Sequence, residues 1–214
     1  AFEAGEVDLV INYPETDLER IQETGALGFT APTARRYFYS VNATSGPMAN
    51  PFIRRAVSLA IDREGIVDAV LSGVGGVPAG TVVPAGKNWA ADIDPVYDPA
   101  QAEKLLAEAG AVKEGGQWML DGAPLEIDIL TYSANAGRYS NPELDALLDA
   151  GRVTFDQAER EVIYDEVQQI IAADAAMIPV FHVSQANVSK PGLTGYAVHP
   201  TETYWLTHET ALTE

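Results

Sequence analysis

The side chains that could perform chemistry are present in this chain, but their spacing does not fit catalysis or metal binding. His182, His199 and His208 share no metal-ligand spacing, so we interpret each as a structural or surface residue. The glycine-rich run at 73–76 lacks the lysine of a phosphate-binding loop and the spacing of a dinucleotide-binding loop. The sequence has no cysteine and no G-x-S-x-G motif to supply a nucleophile. We therefore predict a protein that is not an enzyme, with no catalytic residue, no metal site and no cofactor.

The charge balance argues against two kinds of partner. The 214 residues include 31 acidic and 13 basic side chains, a formal net charge of −18. Nucleic-acid-binding proteins need basic surfaces that displace counterions from phosphates, and anionic membranes likewise attract basic segments. No apolar run approaches the roughly 20 residues that a membrane-spanning helix needs. We expect no nucleic-acid partner and no membrane insertion, and we interpret acidic pairs such as Asp92/Asp94 as solvated carboxylates rather than an acid–base couple.

Five arginines stand out because basic residues are scarce: Arg35, Arg36, Arg54, Arg55 and Arg63. Our preferred interpretation is that they form ion pairs with the acidic surface. The alternative is a subsite for a ligand that carries a carboxylate, which arginine binds in a bidentate manner. The tyrosines and tryptophans near strand ends are interpreted mainly as core residues, with an adaptable small-ligand cleft as the alternative.

Local signals predict an α/β protein with a mixed sheet and packed helices. Helix-capping residues predict helices that begin at Asn50, Asp62, Asp98, Asn141 and Asp156. Strands are predicted at 7–11, 37–42 and 177–183, and Asp121-Gly122 predicts a tight hairpin between 118–120 and 125–129. The loop at 72–94 is long enough to be functional or to pack over the surface. The residues expected to face inward are Val57, Ala60, Ile61, Ile66, Val70, Leu71, Leu105, Leu106, Leu147, Leu148, Ile163, Val167 and Ile170.

Five stretches, taken in order, resemble one known family. They are YFYSVN at 37–42, NPFIRRAVSLAIDR at 50–63, YDPAQAEKLLAEAG at 97–110, YSNPELDALL at 139–148 and IPVFH at 178–182. Together they are similar to the bacterial extracytoplasmic solute-binding proteins of family 5, which are the dipeptide, oligopeptide and nickel receptors of ABC importers. The resemblance covers nearly the whole chain.

The resemblance implies the second lobe of a type II, bilobal periplasmic-binding-protein-like fold. It assigns residues 1–40 to a remnant of the first lobe and the hinge strand, 41–182 to an internally shortened second lobe, and 183–214 to the segment that returns to the first lobe. The acidic start at 1–6 is unlike a signal peptide and indicates the interior of a longer protein. The family's segment that meets a peptide's amino terminus has no match between Ser133 and Tyr139, so we expect weak peptide binding by this chain alone.

The resemblance also implies a function. It predicts capture of a small peptide between two lobes, delivery to ABC permease subunits, and a periplasmic or extracytoplasmic location, with a membrane-anchored lipoprotein as one form. Four ligand-binding candidates carry over by position: Tyr39, Asn42, Tyr132 and His182. Two alternatives stay open, namely a receptor for a nickel chelate or other metal-chelate ligand, and a fragment that serves in interaction without binding solute.

Overall fold

Helices and strands are interspersed along the chain in the computed structural model, which describes residues 1–71, 73, 75–83, 90–129, 139–199, 201 and 206–213. The strands are β1 (Leu9–Val10), β2 (Leu27–Ser40), β3 (Gly76–Pro78), β4 (Val112–Glu114), β5 (Gln117–Leu120), β6 (Ala123–Pro124), β7 (Met177–Ser189), β8 (Leu193–Thr194) and β9 (Ala211–Leu212). The α-helices are α1 (Leu18–Gln22), α2 (Pro51–Ala60), α3 (Arg63–Leu71), α4 (Pro99–Glu108), α5 (Pro142–Val153) and α6 (Gln157–Ala173). The predicted α/β class is confirmed.

Side-chain caps fix the starts of four helices as the sequence predicts. The oxygens of Asn50, Asp98 and Asp156 accept hydrogen bonds from first-turn amides at 2.9–3.0 Å. Asn141 accepts two such bonds, from Glu143 N at 2.9 Å and from the next amide at 3.3 Å. These bonds satisfy amides that have no partner inside the helix, so each helix has a defined first residue.

The predicted end of α5 at Gly151 is wrong, because the helix continues to Val153. Gly151 is not a cap. A Cβ built on it would lie 3.0 Å from the ring of Tyr164 on α6. The absence of a side chain there lets the two helices pack closely, so Gly151 serves helix–helix contact rather than termination.

The Asp121-Gly122 hairpin is confirmed, but its second strand is shorter than predicted. Both turn residues have positive φ (52° and 79°), as a type I′ turn requires. β6 covers only Ala123–Pro124, in place of the predicted 125–129. The reason is that β5 begins only at Gln117, after a second turn at Gly115-Gly116. β5 therefore provides a hydrogen-bond partner for Leu125, whose amide donates to Trp118 O, but no ladder for the residues that follow.

The chain divides into two compact units and passes between them after Tyr37, Asp62, Ala79 and Val180. Unit 1 contains 1–37, 63–79 and 181–214, and unit 2 contains 38–62 and 80–180. In unit 1, β7 pairs antiparallel with β1 and β3 and lies beside β2. A buried cluster of Ile21, Ala26 and Val188 packs α1 against this sheet.

Strand β7 runs to Ser189, six residues beyond its predicted end. All but two of its residues are buried, including the polar side chains of His182, Ser184, Gln185, Asn187 and Ser189. The apolar pattern stops at Val183 because the remainder of the strand is buried around hydrogen bonds rather than around aliphatic contacts alone. The hydrophobic periodicity of the sequence therefore did not predict the second half of β7.

Unit 2 has a helical core. Ala56 on α2 packs with Ala102 and Leu105 on α4, and a second cluster joins Val41, Ala175 and Ile178. The predicted phase of α2 is partly wrong: Ile53 and Ala56 are buried, whereas Ala60 is exposed. In α4, α5 and α6, Leu105 and Val167 are buried as expected, while the other predicted core residues are half-buried: Leu106, Leu147, Leu148, Ile163 and Ile170. In α3 of unit 1, the prediction for Val70 is wrong, since it is 68% exposed and Val67 takes the inward position.

A buried glutamine holds part of the long loop at 72–94 onto α6. Gln168 Oε1 accepts hydrogen bonds from Thr81 Oγ1 at 3.0 Å and from the Ala91 amide at 3.1 Å. Gln168 Nε2 donates to the Tyr164 carbonyl at 2.9 Å. The loop also crosses itself so closely that a Cβ on Gly80 would lie 2.0 Å from Ile93 O. The described part of the loop is therefore packed against unit 2.

Candidate ligand-binding residues

Two of the predicted ligand-binding residues lie at the end of β2 in unit 2. The Tyr39 side chain is 41% exposed. Asn42 is also exposed, but its amide is used locally: Oδ1 accepts from Thr44 N at 3.2 Å and Thr44 Oγ1 at 2.9 Å, and Nδ2 donates to Ser45 Oγ at 3.0 Å. Such an Asx-type turn fixes the chain that leaves the strand. The contribution of either residue to ligand contact stays a prediction.

The other two candidates are placed differently. His182 belongs to unit 1, where it is 3% exposed within β7 and lies opposite Val77 of β3. Tyr132 lies outside the described residues. The structure thus brings Tyr39 and Asn42 together in one unit and places His182 in the other, and a role for His182 in ligand binding also stays a prediction.

A hydrogen-bonded polar row on β7 was missed by sequence reasoning. Asn187 Oδ1 accepts from the Asn12 amide at 3.0 Å and from Gln185 Nε2 at 3.2 Å, and Asn187 Nδ2 donates to Tyr196 Oη at 2.5 Å. Burial raises the pKa of the Tyr196 phenol above its ordinary value. Alternation of Gln185, Asn187 and Ser189 along a strand was the available signal, because alternate residues share one face.

An aromatic stack joins two strands of the unit 1 sheet. The rings of Tyr37 on β2 and Phe181 on β7 are 4.8 Å apart at 28°. Phe181 is 8% exposed, whereas Tyr37 is 55% exposed. Gly76 lies so close to Phe181 that a Cβ there would be 3.2 Å from Phe181 Cδ2, so the missing side chain leaves room for the Phe181 ring. The result is a supported tyrosine ring that is more than half exposed.

The five arginines are divided between the two units. Arg54 is 5% exposed in unit 2, and its guanidinium donates to the carbonyl oxygens of Asp174 (2.9 Å), Met48 (2.9 Å) and Ala49 (3.0 Å). Both interpretations of this residue, a surface ion pair and a carboxylate subsite, are wrong: it binds main-chain carbonyls. Arg63 belongs to unit 1, where burial lowers the pKa of its guanidinium. Arg35 and Arg55 are exposed.

The Tyr139-Ser140-Asn141-Pro142 motif has a structural role. Asn141 caps α5 with its oxygen, and its Nδ2 donates to Tyr139 Oη and to Asp174 Oδ2, each at 3.1 Å. The Tyr139 phenol donates a hydrogen bond to Asp174 Oδ2. Burial, followed by this hydrogen bond to a carboxylate, raises the pKa of Tyr139. The motif and Arg54 together fix the end of α6, from which β7 departs.

The described residues contain neither an arrangement for a metal ion nor a helix that could span a membrane. Among these residues, no group of three or more His, Cys, Asp or Glu is arranged to hold a metal ion. None of the described helices is long and apolar enough to cross a bilayer.

Comparison with solved structures gives the class of fold. A nickel ABC transporter protein from Bacillus halodurans matches 96% of this chain with a TM-score of 0.84 at 19% identity, and 58% of its own chain is covered. At that identity the likeness establishes the fold alone. The chain therefore has the fold of the binding proteins of ABC transporters.

Comparison by sequence gives the family. Residues 1–144 match the bacterial extracellular solute-binding proteins, family 5 Middle, and the chain belongs to this family. A probable di/tripeptide-binding protein of Pseudomonas aeruginosa is 24% identical over 92% of the chain, and a periplasmic murein peptide-binding protein of Escherichia coli is 22% identical over 93%. The chain spans about half the length of these curated relatives, 50% in each case.

The alignments also bear on the predicted internal shortening. The match to the Pseudomonas aeruginosa protein extends over 262 positions, more than the 214 residues of this chain. That relative therefore carries residues inside the matched region that this chain lacks. The resemblance to this family that was drawn from the sequence motifs is confirmed, and the internal shortening of a second lobe stays a prediction.

Proposed function

We propose that this chain is a portion of the solute-binding component of an ABC importer for small peptides. The observation that carries the proposal is the family match over residues 1–144, together with sequence relatives named for binding di- or tripeptides and murein peptide. In the proposed function the complete receptor captures a peptide between two lobes outside the cytoplasmic membrane and passes it to permease subunits. It performs no reaction on the peptide, since transport requires none.

The division into units supports an assignment of segments to lobes. We propose that 1–40 and 183–214 belong to the first lobe or to the strands that lead to it, and that 41–182 belongs mainly to the second. The chain changes unit close to these limits, after Tyr37 and after Val180. Residues 63–79 group with unit 1, so this segment is proposed as a contribution to the first lobe.

A nickel chelate is the second candidate ligand. It is favoured by the structural match to a nickel transporter protein, but that match reports the fold, whereas the sequence relatives reported above are peptide-binding proteins. A small peptide is therefore our first choice of ligand.

The experiment is saturation-transfer NMR on the purified chain with a pool of di- and tripeptides, because this method detects weak ligands. Free amino acids of matched composition serve as the control, and nickel–histidine is tested by metal analysis after gel filtration. We expect transfer to peptides and little to free amino acids. Transfer to none of the peptides at several millimolar would overturn the proposal, and retention of nickel–histidine in their place would support the second candidate.

A further inference from the structure

We propose that residues 125–129 of unit 2 bind an extended segment of a partner protein by main-chain pairing, and that this segment alternates apolar with basic residues. The inference goes beyond the proposed function and does not depend on it. It is carried by main-chain groups without partners, by apolar side chains that stay exposed, and by two carboxylates that alternate with them.

The segment continues directly from β6, but its main chain loses its partner strand after one residue. The Leu125 amide donates to Trp118 O at 2.8 Å. Within the part of the chain that the structure describes, the main-chain groups of 126–129 have no hydrogen-bond partner. Unpaired main-chain groups beside a sheet are a template for another strand, and several peptide-binding domains bind their ligands in this way.

The side chains of the segment alternate between apolar and acidic. Ile127 is 38% exposed and Ile129 is 65% exposed, although isoleucine is among the residues most often buried. Glu126 and Asp128 are exposed, and neither has an ion-pair partner among the described residues. Because successive residues of a strand point to opposite faces, an added strand would cover the isoleucines on one face and meet both carboxylates on the other.

The charges decide which kind of strand fits. A second copy of this chain, paired antiparallel about Ile127, would place Glu126 opposite Asp128, and an in-register parallel copy would place each carboxylate opposite itself. Like charges directly opposite each other destabilise a pair of strands, whereas opposite charges stabilise it. A segment with an apolar residue opposite Ile127 and a lysine or arginine on either side matches both carboxylates in either direction. The partner is therefore a basic, alternating segment rather than a second copy of this chain.

The test is an NMR titration of the isotope-labelled chain with the blocked peptide acetyl-Val-Lys-Val-Lys-Val-amide. Three control peptides isolate its features: acetyl-Val-Gln-Val-Gln-Val-amide lacks the charge, acetyl-Lys-Lys-Val-Val-Val-amide keeps the charge without the alternation, and a form of the first peptide that is N-methylated at every residue has no main-chain donors. We expect the amide signals of 126–129 to shift on addition of the first peptide and their exchange with solvent to slow.

The expected affinities follow from the two kinds of contact. The lysine peptide should bind about 2- to 30-fold more tightly than the glutamine peptide, because it adds two opposite-charge pairs. It should bind at least about 5-fold more tightly than the N-methylated form, which loses the main-chain hydrogen bonds. The peptide with adjacent lysines should also bind more weakly, because it cannot place both charges opposite the carboxylates.

Variants assign the preference for lysine to this segment. Glu126→Lys/Asp128→Lys should abolish the preference for the lysine peptide over the glutamine peptide. The matched control is Asp92→Lys/Asp94→Lys, which makes the same change of charge at two exposed carboxylates of the same unit and should leave the preference in place. This control separates local pairing from general attraction by a chain of net charge −18. Melting temperatures of both double variants separate loss of binding from loss of folding, and the comparison of peptides on the parent chain needs neither variant.

Competition with excess Ala-Ala-Ala distinguishes this inference from the proposed function. Displacement of the lysine peptide by Ala-Ala-Ala would overturn the inference and support the proposed function, since the two peptides would share a solute site. Equal affinity for the lysine and glutamine peptides, or an equal effect of the two double variants, would also overturn the inference. Shifts of the 126–129 signals on raising the concentration of the chain alone would show self-pairing and overturn the choice of partner. Failure of the lysine peptide to bind at several millimolar would overturn the inference and leave the proposed function standing.

Discussion

Replacement of Arg54 by methionine tests whether a buried guanidinium holds unit 2 together. Three carbonyl oxygens, those of Met48, Ala49 and Asp174, would lose their charged donor. A buried acceptor left without a partner costs about 1–3 kcal/mol. Methionine removes the desolvation cost of a buried charge and recovers about 1.5–3 kcal/mol through apolar burial. We therefore expect the free energy of unfolding to fall by about 2–5 kcal/mol.

The measurement is urea denaturation followed by circular dichroism, with hydrogen exchange as a local readout. Arg55→Met is the matched control, because Arg55 is the exposed neighbour on the same helix and should change stability by less than about 0.5 kcal/mol. Arg54→Lys should be intermediate, since an ammonium keeps the charge but cannot reproduce the planar fork of donors. Exchange should increase at the Ala175 and Ala176 amides, which close the end of α6. Equal effects of Arg54→Met and Arg55→Met would refute the argument.

Three further changes have defined outcomes. Asp98→Ala should lower the free energy of unfolding of unit 2 by about 0.5–2 kcal/mol, while Asp98→Asn should leave it nearly unchanged. Equal losses in the two variants would show that the charge of Asp98, and not its capping bond, is what stabilises α4. Gly151→Ala should lower the free energy of unfolding by about 0.5–2 kcal/mol, because a clash with the Tyr164 ring outweighs the gain in helix propensity. In a Tyr164→Ala background the same substitution should be neutral or stabilising, and an effect of the same sign in both backgrounds would exclude the clash. The Asp17 carboxyl should titrate near pH 2 by NMR rather than near 3.8, because hydrogen bonds from Arg20 and Tyr13 lower its pKa. Its stabilising contact is therefore fully present above pH 3.8 and is lost as the pH falls towards 2. Arg20→Gln should raise the pKa of Asp17 again, and an unchanged pKa would contradict this origin.

The sequence predicts element starts better than it predicts burial. Asn50, Asp98, Asn141 and Asp156 were identified because a cap acts through its own neighbouring amides, which are fixed by sequence distance. The inward phase of α2 depends on which helix lies against it. Because α4 packs on the side of Ala56, and Arg54 is buried for its hydrogen bonds, a hydrophobic pattern alone assigned part of the buried face wrongly.

The same distinction limits prediction of the binding site. Motif residues shared with a family need not be ligand contacts: Asn42 closes a turn, Asn141 caps a helix and Arg54 binds three carbonyls. Each of these tasks concerns local structure, so a residue shared with a family can serve the fold without touching a ligand.

A ligand can only be contacted by side chains that the fold leaves exposed. Tyr37 is exposed in this way, since it is 55% exposed although its ring stacks on Phe181. Its partner Phe181 is 144 positions further along the chain, a pairing that only the register of β2 beside β7 creates. A motif read along one stretch of sequence contains no information about that pairing, and for this reason the family could be recognised from the sequence whereas the aromatic stack could not.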